Sequence, residues 1–176
     1  MFPYISAMFL RKIFLCFLFV IGISGSVHAQ QDEVCDAINA IVRDAPNQFR
    51  NVRGDAVKSR IWACSIQVPG TISSRFVGSM GLFYEGAVLQ TKNKDDVKAV
   101  YDKYKAILKD CFSAQGYKMI TEDNFYPGLE AYKKLAFMPP AKDDQKSSDM
   151  PAHAAIEVTY SKQVGYYTVV LYIFEH

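Results

Sequence analysis

Histidine is scarce in this chain, with three among 176 residues. There is no His-Glu-x-x-His, no Cys-x-x-Cys, no Gly-x-Ser-x-Gly and no glycine-rich phosphate loop. Those absences remove the local signatures of zinc hydrolases, dithiol redox proteins, serine hydrolases and phosphate-loop enzymes. No motif implies a cofactor. The four cysteines, Cys16, Cys35, Cys64 and Cys111, are too few for a disulfide-dense scaffold.

No hydrophobic run is long enough for a comfortable membrane span, which needs about 20 residues. The longest runs from Ile13 to Ile23 and is broken at Gly22. Arg11 and Lys12 precede it, and Ser24-Gly25-Ser26 leads into Val27-His28-Ala29, a small-x-small site. That order is the order of a cleaved export signal, so residues 1–29 are expected to be removed and the protein to be periplasmic or secreted. Met8 would begin an equally good signal. Neither Cys16 nor Cys35 follows the small residues that a lipid-anchored cysteine requires, and no membrane span is expected after cleavage.

Excess charge is also missing. Arg11 and Lys12 leave with the signal, so 20 − 2 = 18 basic residues face 18 acidic ones. A neutral domain has no field to steer it onto nucleic acid or an anionic membrane. The remaining 176 − 29 = 147 residues are one domain's worth. A chain of that size buries about 68–70% of its unfolded surface and needs no staples.

What is present is strand and helix periodicity. Residues 154–175 read as two β-rich runs around a polar break ending in Gly165. Period-two alternation in aromatic and β-branched residues marks a hairpin. Pairing Ser161 with Tyr166 sets Ile156 against Leu171, Val158 against Val169 and Tyr160 against Tyr167, which gathers the apolar set on one face. A lone hairpin is not stable in water, so the rest of the chain must cover this one.

The first helix is expected at residues 31–44, with an apolar stripe from Val34 to Ala45, and Phe49 and Val52 extend that seam. Residues 51–58 read as a polar connection. Strands follow at 59–68, 73–80 and 82–90, with a turn at Pro69-Gly70; Gly78, Gly81 and Gly86 blur the boundaries, and Gly86 reads either as part of the last strand or as a hairpin tip or bulge. Residues 93–112 form the best helix, with Asn93 as N-cap and Asp95 and Asp96 in its first turn. Residues 117–121 are a short strand candidate, and 130–138 favour strand over helix. Residues 141–150 form a polar loop tolerant of change. The expected class is α+β: an antiparallel sheet of about six strands with two main helices on one face, in the order α-β-β-β-α-β-β-β-β. The first five elements resemble, in order only, the type III secretion chaperone-like fold; the resemblance carries no function with it.

Candidate site residues are few. Tyr166, Tyr172 and Phe174 share the less apolar face of the hairpin. There they form either a binding surface for a protein or glycan or a face that another element covers. Glu157 lies on that face too, as a solvent-side carboxylate or a catalytic acid. His153 and His176 would meet at one end of the hairpin, one ligand or two short of a metal site.

Three cysteines remain after cleavage, an odd number, all on apolar stripes. Three buried thiols is one reading; a bridge is the other. With three antiparallel strands between them the two helices would run parallel. Cys35 would then sit at the start of one helix and Cys111 at the far end of the other, and a 20-residue helix spans about 30 Å. Cys35 and Cys64 would lie at similar depth, roughly 21 Å and 17 Å from the intervening loop. The expected bridge is therefore Cys35–Cys64, with Cys111 free.

The function expected from these features is a non-enzymatic exported module, of inhibitor or immunity type among others, that binds a protein or cell-envelope ligand. The alternative is a secreted hydrolase whose site is assembled in space from Asp123, Glu130, His153 and Glu157.

Overall fold

The computed structural model of the chain describes residues 31–79, 81–123, 132–140, 154–161 and 163–175. The export signal expected at 1–29, the loop at 141–150, and Glu130, His153 and His176 lie outside the described residues. By its internal contacts the chain divides into Met1–Glu33 and Val34–His176; the core, sheet and site below belong to the second unit.

The first helix, α1, covers residues 31–44, as its stripe predicts. Val34, Ile38, Ile41, Val42 and Ala45 are buried, and Phe49 and Val52 continue the seam. A 3-10 turn at Ala45–Asn47 carries Pro46 and ends the helix. Asp44 closes that end. Its buried carboxylate accepts from the Asn51 backbone N–H at 2.8 Å, the Asn51 amide at 2.6 Å and the Val52 N–H at 3.2 Å.

Eight antiparallel strands follow: β1 Arg53–Lys58, β2 Ile61–Cys64, β3 Ser73–Gly78, β4 Leu82–Thr91, then β5 Lys118–Asp123, β6 Tyr132–Met138, β7 Ala154–Ser161 and β8 Tyr166–Phe174. Helix α2, Lys94–Ser113, separates the two sets of four. The order across the sheet is β1-β2-β3-β4-β8-β7-β6-β5. The fold is thus a helix and a four-strand meander, twice, joined where β4 pairs with β8.

The class is α+β, as expected, but eight strands replace about six, and four rather than three precede α2. The added strand is β1, where a polar connection was read. It is an edge strand, mostly exposed and with two shifts in its register against β2. A strand exposed on both sides carries no apolar alternation for a sequence reading to detect. The order is therefore α-β-β-β-β-α-β-β-β-β, and the first five elements do not follow the type III secretion chaperone-like order. Strand β2 is also shorter than the expected 59–68. The chain leaves the ladder after Cys64, with the Ser65 N–H and hydroxyl both donating to the Val52 carbonyl.

The hairpin register is the one expected: Ile156 opposite Leu171, Val158 opposite Val169, Tyr160 opposite Tyr167 and Ser161 opposite Tyr166. Asn93 caps α2, its side chain accepting from the Asp95 N–H at 3.0 Å. Both helices bury their stripes in one core with the inward residues of the sheet, among them Phe76, Tyr84, Leu135, Phe137, Ile156, Leu171 and Ile173. Gly86 lies within β4, as the strand at 82–90 expects, and is neither tip nor bulge. The Tyr84 ring lies across it, so close that a Cβ there would stand 2.6 Å from the phenol oxygen.

Cys35 is bonded to Cys111, with Cα atoms 5.4 Å apart, and Cys64 is free. This corrects the expected Cys35–Cys64 pairing. The faulty premise was that α1 runs along the strands. Phe76, Tyr84, Ile173, Ala154 and Phe137 stand side by side on five neighbouring strands. Phe49, beyond the end of α1, packs on Phe76 with ring centroids 4.9 Å apart. At the other side of the row, Phe112, next to Cys111, packs on Phe137 at 5.5 Å. The helix therefore crosses the strands. The helical residues from Cys35 to Asp44 rise roughly 14 Å of the roughly 19 Å across five strands, and the turn that carries Phe49 lies beyond them.

Candidate functional site

The outer face of the sheet, opposite the helices, holds the candidate residues. On β8 it presents Tyr166, Thr168, Val170, Tyr172 and Phe174, which alternate with the core residues Tyr167, Val169, Leu171 and Ile173. Strand β4 lies alongside. Its Phe83 stands opposite Phe174 and its Glu85 opposite Tyr172.

Three rings meet there. Phe83 packs on Tyr172 edge-on at 5.8 Å and on Phe174 at 5.6 Å, and Tyr172 stacks on Phe174 at 5.6 Å. Such ring pairs add about 0.5–1.5 kcal/mol each beyond their area, so the cluster is a fixed platform rather than three independent side chains. Charge borders it. Arg75 on β3 pairs with Glu85, and Lys134 on β6 lies over the Phe174 ring at 5.9 Å. All three rings are half-buried.

Of the three aromatic residues singled out from sequence, the structure brings Tyr172 and Phe174 together and leaves Tyr166 apart. Tyr166 sits six residues away at the hairpin end, with the Lys92 ammonium over its ring at 5.1 Å. Phe83, the third member of the platform, was missed. It reaches Tyr172 only through the β4–β8 pairing, which joins strands separated by a helix and three other strands. Toward β7 and β6 the face is floored by Ala155 and Ala136, both buried.

Glu157 is on the outer face, as its alternation implies, half-buried between Val170 on β8 and Lys134 on β6. A lysine directly across the ladder suits a carboxylate in a sheet. Asp123 ends β5, opposite Lys133 in the ladder. Glu130 and His153, the other members of the hydrolase alternative, are outside the described residues, as is the pair His153 and His176. Among the described residues, no group of three or more His, Cys, Asp or Glu could hold a metal ion, and no helix is long and apolar enough to cross a membrane.

A second polar cluster lies beneath the sheet. The Tyr84 hydroxyl is 3.0 Å from the Ser74 hydroxyl, which is 3.0 Å from that of Thr71, which donates to the Val68 carbonyl at 2.8 Å. Tyr104 from α2 donates to the Pro69 carbonyl at 3.0 Å. Together they pin the turn at Pro69-Gly70 against α2. Burial pushes the Tyr84 phenol up to about 12, although the Ser74 hydrogen bond opposes the shift. Burial also pushes up the Cys64 thiol, which donates to the Ile66 carbonyl at 2.8 Å. These groups stay protonated near neutral pH, and a protonated thiol is a poor nucleophile. The cluster is suited to holding a loop, not to chemistry.

No protein-family model matches this chain, and no curated protein or solved structure matches it.

Proposed function

We propose that the protein is a non-enzymatic exported module that binds a protein or cell-envelope ligand on the outer face of its sheet. The observation that carries this reading is the platform of Phe83, Tyr172 and Phe174, bordered by Arg75, Glu85 and Lys134. Rigid rings ringed by charge are the usual anatomy of an interface centre: aromatic and arginine anchors dominate binding energy and their polar rim excludes water. The Cys35–Cys111 bond supports the exported setting, because such bonds persist in oxidising compartments. So does the sequence of residues 1–29.

The test is capture from a cell-envelope extract with the wild type and with Tyr172→Ala/Phe83→Ala. The expected result is a specific captured component that the double variant loses while its thermal unfolding stays cooperative. An identical captured set from both proteins would defeat the reading. Mass spectrometry of protein recovered from the export compartment should find Gln30 at the N-terminus.

A further inference from the structure

The two edges of the sheet differ. Strand β1 is irregular, with two register shifts against its neighbour. Irregularity of that kind blunts an edge against pairing with another chain. Strand β5 has no such defence. It pairs with β6 through six consecutive residues, from Lys118 opposite Met138 to Asp123 opposite Lys133, without a shift. It ends the sheet. Lys118, Met119, Ile120 and Thr121 are all exposed, Met119 at 48% and Ile120 at 46%. A regular edge with exposed apolar residues at its centre is a template for strand addition.

We infer that β5 is a self-association surface, on which a second copy of this chain adds its own β5 antiparallel, with Ile120 of each copy at the two-fold axis. The order of residues along the strand carries the choice of occupant. A two-fold axis normal to the sheet preserves side-chain direction, so residues of the same parity must stand opposite each other. Centring the axis on Ile120 puts Lys118 opposite the partner's Glu122, and Met119 opposite the partner's Thr121. The mirror-image pair closes the interface. Lysine therefore meets glutamate twice, and isoleucine meets isoleucine at the centre. Opposite charges facing across an antiparallel pair stabilise it, and like charges would oppose it. Shifting the axis to Thr121 puts Ile120 opposite the partner's Glu122 and leaves Lys118 beyond the paired residues. Such an interface is isologous and closes at two copies, with no edge left to extend at β5. Both helix layers then lie on one side and both outer faces on the other. The association stands independently of the ligand-binding reading above.

The experiment is sedimentation velocity on the full chain over a range of concentrations, with charge variants and a cross-linking variant. The wild type should shift from one-chain to two-chain mass as concentration rises. Lys118→Glu and Glu122→Lys should each stay at one-chain mass. The double variant Lys118→Glu/Glu122→Lys should regain the dimer, a rescue that a folding defect cannot produce. In a Cys64→Ser background, oxidation of Ile120→Cys should give a two-chain species on a non-reducing gel. Thr121→Cys should give none, because residues offset by two along paired strands are about 8 Å apart, beyond the reach of a disulfide. One-chain mass for the wild type at every concentration overturns the inference, leaving the edge to a strand from another protein. So does a double variant that fails to recover the dimer, or cross-linking at 121 in place of 120.

Discussion

Cys35, in α1, and Cys111, in the last turn of α2, are covalently bonded, and the bond joins residues 76 apart in sequence. It fixes α1, which crosses the strands, to the last turn of α2. Closing a loop of that length constrains the unfolded chain by about 4–5 kcal/mol in the loop-entropy model. Non-reducing peptide mapping should return a Cys35–Cys111 peptide and an alkylatable Cys64. Cys35→Ala/Cys111→Ala should lower unfolding free energy by about that amount. A Cys35–Cys64 peptide, or an unchanged denaturation midpoint, would contradict this account.

Val169 and Thr168 are neighbours on opposite faces of β8. Val169 is fully buried among the core residues, and Thr168 is half-buried on the outer face. Val169→Asp should cost at least about 3 kcal/mol, because an unpaired carboxylate is forced into an apolar interior. Thr168→Asp should cost much less. Urea denaturation of the two variants checks this, and equal costs would contradict the placement of the two faces.

Asp44 receives two backbone N–H groups and the Asn51 amide at the end of α1. Asp44→Ala strands the Val52 N–H in a buried site and leaves the Asn51 donors to water, and should cost about 1–3 kcal/mol. The accompanying change should be faster hydrogen exchange at the Asn51 and Val52 amides, read by mass spectrometry or NMR. Exchange unchanged at both amides would show that the carboxylate does not hold them.

Tyr84 supplies a pH dependence. Its folded-state value of about 12 lies above the ordinary value near 10. The unfolded chain therefore releases the proton first as pH rises. The contribution is fully present below about pH 10 and is lost as pH climbs toward 12. Tyr104 and Tyr117 are also raised by burial and act in the same direction. Denaturation midpoints should fall over that window, and fall less steeply in Tyr84→Phe. In the absorbance titration of the phenols, the same variant should lose one late-titrating group. A slope identical to wild type would remove Tyr84 from the account.

Much of the local structure was legible in the chain itself. The stripes of α1 and α2, the Asn93 cap and the register of the β7–β8 hairpin each depend on residues within about 20 positions of one another. There, periodicity and turn chemistry act directly. Two of the three platform rings were legible for the same reason, since Tyr172 and Phe174 alternate on one strand. Tertiary structure alone decided the rest. Strand β1 forms because β2 offers it a ladder, not because its own residues alternate. Phe83 joins Tyr172 and Phe174 because β4 and β8 pair residues far apart in the chain (83 with 174 at one end, 91 with 167 at the other), and no local pattern encodes which strands become neighbours. The disulfide depends on the direction in which α1 crosses the sheet. An apolar stripe specifies which side of a helix is buried but not the angle at which it lies on the surface beneath. That angle is set by where Phe49 and Phe112 find their partners, Phe76 and Phe137, on strands far apart in sequence.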